Sequence, residues 1–74
     1  MKLPQLSGRE VGRILTRKGF ILESQHGSHM KFKKREPDAV RTVIVPHYTE
    51  IGPMVLLSII RQAGMTREEF LSSE

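Results

Sequence analysis

Hydrophobic and polar positions along this chain change period twice. Val11, Ile14 and Leu15 recur at helical spacing. Ser7 stands where an N-cap belongs, and Glu10 follows three residues later to close a capping box. Leu6 and Val11 are placed to pinch the helix start between two apolar side chains. Gly19 supplies a stop, with Phe20 able to fold back on Leu15. This pattern predicts a helix over residues 8–18. Period two then takes over. Residues 20–25, 29–34 and 41–46 read as strands, separated by the turn His26-Gly27-Ser28 and by the connection Glu36-Pro37-Asp38. Helical spacing returns after Gly52. Pro53 suits the first helical position. Leu56, Ile59, Ile60 and Ala63 make a buried stripe, and Gly64 closes the helix. Met54, Val55 and Leu57 leave this helix apolar on most sides of its first turns, which points to deep packing or to a protein interface. Thr66 and Glu69 form a second capping box that opens a short third helix, with Met65 and Phe70 flanking it.

The predicted fold class is therefore α+β, helix–βββ–helix with a short C-terminal helix. Residues 1–74 are expected to form one domain, since a chain this short buries little surface. Its three-stranded antiparallel sheet has two faces. Helices can cover only one of them, and the other should stay wet. In the middle strand Met30 and Phe32 would take the covered face. His29, Lys31 and Lys33 would share the open one, because strand side chains alternate.

Charge sharpens this picture. The net charge is +4, but it is unevenly spread. Residues 1–41 carry ten Lys/Arg against four Asp/Glu, a net +6, whereas residues 42–74 carry two against four, a net −2. The basic excess belongs to the first helix and first hairpin. Such a footprint fits a nucleic-acid partner better than a membrane, because no basic amphipathic helix carries large apolar anchors. No apolar run approaches the roughly 20 residues of a membrane-spanning helix, and residues 1–5 offer no signal-peptide core. Cysteine is absent, which fits a reducing compartment. A cytoplasmic location is the default expectation.

The candidate chemistry gathers around Gly27-Ser28-His29. Gly27 lets the turn take a positive φ and lets a substrate approach the backbone closely. Ser28 can donate to a phosphate or orient the imidazole. His29 is a proton acceptor or donor suited to neutral pH. Lys31, Lys33, Lys34 and Arg35 follow as a basic run suited to phosphates. The competing explanation is a row of lysines that guards an edge strand against aggregation. Arg9, Arg13 and Arg17, four residues apart, form a stripe that could lie along an RNA backbone, or simply a solvated helix face. His26, His29 and His47 match no compact zinc spacing, so no metal is expected. His47, after Pro46 at a strand end, is read as structural. No phosphate-binding loop, dinucleotide fingerprint or paired-carboxylate arrangement is visible.

Taken in order, Gly19-Phe20, Gly27-Ser28-His29, Val45-Pro46-His47, Ile59-Ile60-Arg61-Gln62-Ala63-Gly64 and the Thr66-to-Phe70 tail resemble the HicA toxins of prokaryotic toxin–antitoxin pairs. The resemblance spans nearly the whole chain. One departure is Gly52-Pro53-Met54, where many members read Gly-Thr-Leu. The resemblance implies a fold like the double-stranded-RNA-binding domain, mRNA cleavage independent of the ribosome, and inhibition by a HicB antitoxin. It carries the family's catalytic histidine onto His29. The expected activity is a metal-independent endoribonuclease that needs no cofactor and leaves a 2′,3′-cyclic phosphate and a 5′-hydroxyl. Lys31, Lys33 and Ser28 would stabilise charge on the phosphate, and Lys34, Arg35, Arg13 and Arg17 would hold RNA. The second proton-transfer group is unassigned. Two alternatives compete. One is a non-catalytic RNA-binding module with the same fold. The other is an interaction protein that docks through the apolar helix at residues 54–60.

Overall fold

The computed structural model describes residues 3–72. Its elements run α1 (Gly8–Arg17), β1 (Ile21–His26), β2 (His29–Arg35), β3 (Val40–Pro46), α2 (Pro53–Gln62) and α3 (Arg67–Leu71). This is the expected α+β order, with an antiparallel three-stranded sheet in the order β1-β2-β3. Element ends move slightly from the sequence reading. Phe20 lies in the core ahead of β1, and His26 belongs to β1, so the first turn shrinks to Gly27-Ser28.

Both capping boxes form. Ser7 Oγ accepts from the Glu10 N–H at 3.0 Å, and Glu10 Oε1 accepts from the Ser7 N–H at 2.9 Å. Thr66 and Glu69 repeat this at α3, at 3.1 and 2.8 Å. Each box satisfies two backbone donors that a helix start otherwise leaves orphaned.

The sheet buries one face. Met30 and Phe32 of β2 are 6% and 3% exposed, and Val43 and Val45 of β3 are fully buried. Against them pack Val11 and Leu15 of α1, Leu56, Ile59 and Ile60 of α2, and Phe70 of α3. The α1 backbone comes so close to the sheet that a Cβ on Gly12 would stand 2.9 Å from the tip of the Phe32 ring. Only a residue without a side chain fits there. The opposite face of the sheet carries no helix, and its residues are exposed or half-buried.

Two expectations change. β2 is the central strand, so its lysines guard no edge. The free edge of β3 is protected differently, because Gln62 Oε1 accepts from the Ile44 N–H at 3.1 Å. The second change concerns α2. Its apolar stripe is consumed by the chain's own core, and only Met54 and Val55 at its start face outward, at 77% and 43% exposure. An interaction helix along the whole of 54–60 is therefore not available for docking.

The Glu10 carboxyl is held below the ordinary value of 4.5, first by its hydrogen bond to the Ser7 backbone and then by the Ser7 hydroxyl. A depressed carboxyl contributes stability that is present above its unfolded value and lost as pH falls through the folded one. Glu10→Ala should therefore lower the Tm at neutral pH, and the gap to the parent should narrow below pH 4.5. A gap that is absent at neutral pH, or constant across this window, would contradict the capping box as a source of stability.

Candidate nucleic-acid interface

The first hairpin closes on two residues. Gly27, at the first loop position, has φ +59°, and Ser28 keeps a negative φ. That is the sign pattern of a type II′ turn, whose twist matches that of the flanking strands. His26 and His29 face each other directly across this turn. His29 is in turn paired with Pro46 of β3. The next residue, His47, donates its N–H to the Ser28 carbonyl at 2.5 Å, and Tyr48 accepts from the Gly8 N–H at 2.8 Å. The hairpin tip, the end of β3 and the start of α1 are thus tied into one corner of the molecule. Three histidines stand at that corner, all exposed. Among the described residues no cluster of three or more His, Cys, Asp or Glu is arranged to hold a metal ion.

The basic run of β2 is divided by the pleat. Lys31 and Lys33 lie on the open face with His29. Lys34 lies on the other side, its ammonium 5.9 Å from the centre of the buried Phe20 ring. Arg35 ends the strand, exposed and without an ion pair among the described residues. The two open-face lysines are not free cations. β1 bulges between Leu22 and Ser24, and Glu23 spans both ammonium groups, at 3.7 Å from Lys31 and 3.1 Å from Lys33. An anion therefore already occupies the position expected for a phosphate. All three groups are well exposed, so the attraction is weak enough for a second anion to compete.

A second feature lies on the helix side of the sheet. An open groove of about 780 Å³ runs between α1 and β1. Arg9, Arg13 and Arg17 form one wall, and Leu22, Met30 and Phe32 lie at its base. Gln25 and His47 complete it. The three guanidinium groups make no ion pair among the described residues. A cationic wall over an apolar floor suits a polyanion that also carries flat apolar surface. Sequence reasoning found the arginine stripe but missed the groove, because Leu22 and Gln25 share a face only through the bulge between them. It also read His47 as structural. His47 does anchor the turn through its backbone, and it also lines the groove.

The family model of the HicA toxin of bacterial toxin–antitoxin systems matches residues 8–65. The chain belongs to the HicA toxin family. It is thus the toxin of a toxin–antitoxin system, and an antitoxin is its counterpart. The matched region runs from the first residue of α1 through the turn after α2, so it contains the hairpin, the groove and the histidine corner. No curated protein matches the chain. Among the described residues no helix is long and apolar enough to cross a membrane.

Glu23 is the carboxylate that pairs with both Lys31 and Lys33, so removing its charge tests whether it masks them toward polyanions. Glu23→Gln should raise the salt needed to elute it from immobilised heparin, and by more than Glu68→Gln does. The second variant makes the same charge change on α3 and serves as control. Equal shifts from the two variants would mean that Glu23 does not mask Lys31 and Lys33.

Proposed function

We propose that this toxin is an endoribonuclease that cleaves mRNA without a metal, with His29 moving a proton at the scissile phosphate. The observation that carries this reading is an exposed imidazole at a tight turn, one pleat away from Lys31 on the same face. RNA brings its own nucleophile in the 2′-hydroxyl, so a small protein needs to supply only proton transfer and counter-charge. His29 accepts the 2′-hydroxyl proton. Lys31 and Lys33, exchanged from Glu23 to the substrate, stabilise the charge that builds on phosphorus, and Ser28 and the Gly27 turn let the phosphate come close. The products are a 2′,3′-cyclic phosphate and a 5′-hydroxyl.

The α1–β1 groove supports this reading as a path for the strand. Arg9, Arg13 and Arg17 are separated by about 6 Å of helix rise at each step, close to the length of one backbone unit. An apolar floor receives an unstacked base, which favours single-stranded or looped RNA over a continuous duplex. His47 lines the groove, and its neighbour Pro46 pairs with His29. A HicB-like antitoxin with an acidic surface would silence the toxin by covering the corner that holds His29 and Lys31. The same groove would also serve a non-catalytic RNA-binding module, and His29 separates the two readings.

The test is cleavage of labelled RNA in the presence of chelator. The parent should convert RNA to cyclic-phosphate products and leave DNA intact. His29→Ala should be slower by about 10²-fold or more while retaining the parent's thermal unfolding. A His29→Ala variant that cleaves as fast as the parent would overturn the role of His29. RNA that is bound but never cleaved by the parent would favour the binding module.

A further inference from the structure

The first strand holds a second imidazole where this reaction needs one. His26 and His29 are direct cross-strand partners on either side of a two-residue turn. Residues directly opposite in an antiparallel pair project to the same face, with Cβ atoms about 4.5–5.5 Å apart. The turn is short and its glycine is locked at φ +59°, so the separation is fixed by backbone geometry. Both side chains are exposed. Neither makes a hydrogen bond or an ion pair among the described residues. Two unengaged imidazoles thus stand side by side at the tip of a hairpin, their Cβ atoms about 4.5–5.5 Å apart, with Lys31 next along the same face of β2.

We propose that His26 and His29 form a catalytic pair, in which His29 is the general base and His26 the general acid. This rests on the endoribonuclease reading and supplies the proton donor that it lacks. Neutral His29 removes the proton from the 2′-hydroxyl. The 2′-oxygen forms its bond to phosphorus as the bond from phosphorus to the 5′-oxygen breaks. Protonated His26 gives its proton to the departing 5′-oxygen. The step ends with a cyclic phosphate, a 5′-hydroxyl, a protonated His29 and a neutral His26, and exchange with water restores both. Atoms and charge balance with no further reactant. In-line displacement places the entering and leaving oxygens on opposite sides of phosphorus, and two groups on facing strands match that demand. His47 fits this role less well. Its strand neighbour Pro46 is the residue paired with His29, and its side chain lines the groove on the helix side of the sheet.

The deciding experiment uses two RNA substrates, one ordinary and one with sulfur replacing the 5′-oxygen at the scissile position. A thiolate leaves without being protonated, so the sulfur substrate does not need the acid. His26→Ala and His26→Asn should each cleave ordinary RNA about 10²-fold more slowly than the parent and come within about fivefold of it on the sulfur substrate. His29→Ala should be comparably slow on both. An exposed hairpin position tolerates either His26 substitution, and matched thermal unfolding verifies this. If the parent cleaves ordinary RNA and both His26 variants stay within about twofold of it, the pair is refuted while the endoribonuclease reading stands. An equal deficit on both substrates also refutes the acid role, since a merely structural residue behaves that way. A parent that cleaves neither substrate overturns the endoribonuclease reading and the pair together.

Discussion

The central strand carries the whole arrangement, through the burial of Met30 and Phe32. Those two side chains are clamped between the sheet and α1, and the glycine at position 12 lets the helix backbone settle almost onto the Phe32 ring. Alternation along a strand leaves no freedom after that. Once the even-numbered residues 30 and 32 point inward, His29, Lys31 and Lys33 must point outward. A slip of one residue would bury two ammonium groups and expose two large apolar side chains. The cost of that exchange, several kcal/mol by burial of unpaired charge alone, fixes the register. Core packing and the outward chemistry are thus two consequences of one constraint.

The corner that holds the histidines is built by local bonds layered on that register. The II′-type turn sets His26 against His29, and pairing with β3 brings Pro46 alongside. The His47 N–H then fixes the Ser28 carbonyl, and the Gly8 N–H fixes Tyr48. As a result the start of α1, the end of β3 and the hairpin tip are tied together by backbone hydrogen bonds. The arginine wall of α1 is consequently held in a fixed relation to the turn. An RNA strand lying in the groove would reach the imidazoles by following the surface around one corner.

Much of the fold was legible in the sequence because its signals are local. Capping boxes at Ser7 and Thr66, Gly19 after α1 and the period-two run at 29–34 each state their structure within a few residues. What escaped the reading depends on contacts distant in sequence or on irregular backbone. The bulge between Leu22 and Ser24 follows from no local pattern. Yet it turns Glu23 onto Lys31 and Lys33 and brings Leu22 and Gln25 to the groove. The four-residue basic run looked like one patch, whereas the pleat sends Lys34 to the opposite side, over Phe20. The facing of His26 and His29 was hidden by one residue of uncertainty in turn length. A three-residue turn including His26 would leave His29 without that partner, and a two-residue turn creates the pair.

The central claim is that RNA meets the outward face of the hairpin tip together with the adjoining arginine groove, and not the α2–α3 side. Nuclear magnetic resonance of the toxin titrated with a 2′-O-methyl oligonucleotide, which binds but has no nucleophile, tests this without relying on catalysis. The account predicts the largest shifts in the ring resonances of His26 and His29 and in Lys31, with further shifts along Arg9, Arg13 and Arg17, while the buried Val43 and Ile59 methyl groups stay in place. Shifts concentrated on α2 and α3, with the imidazoles unmoved, would contradict it.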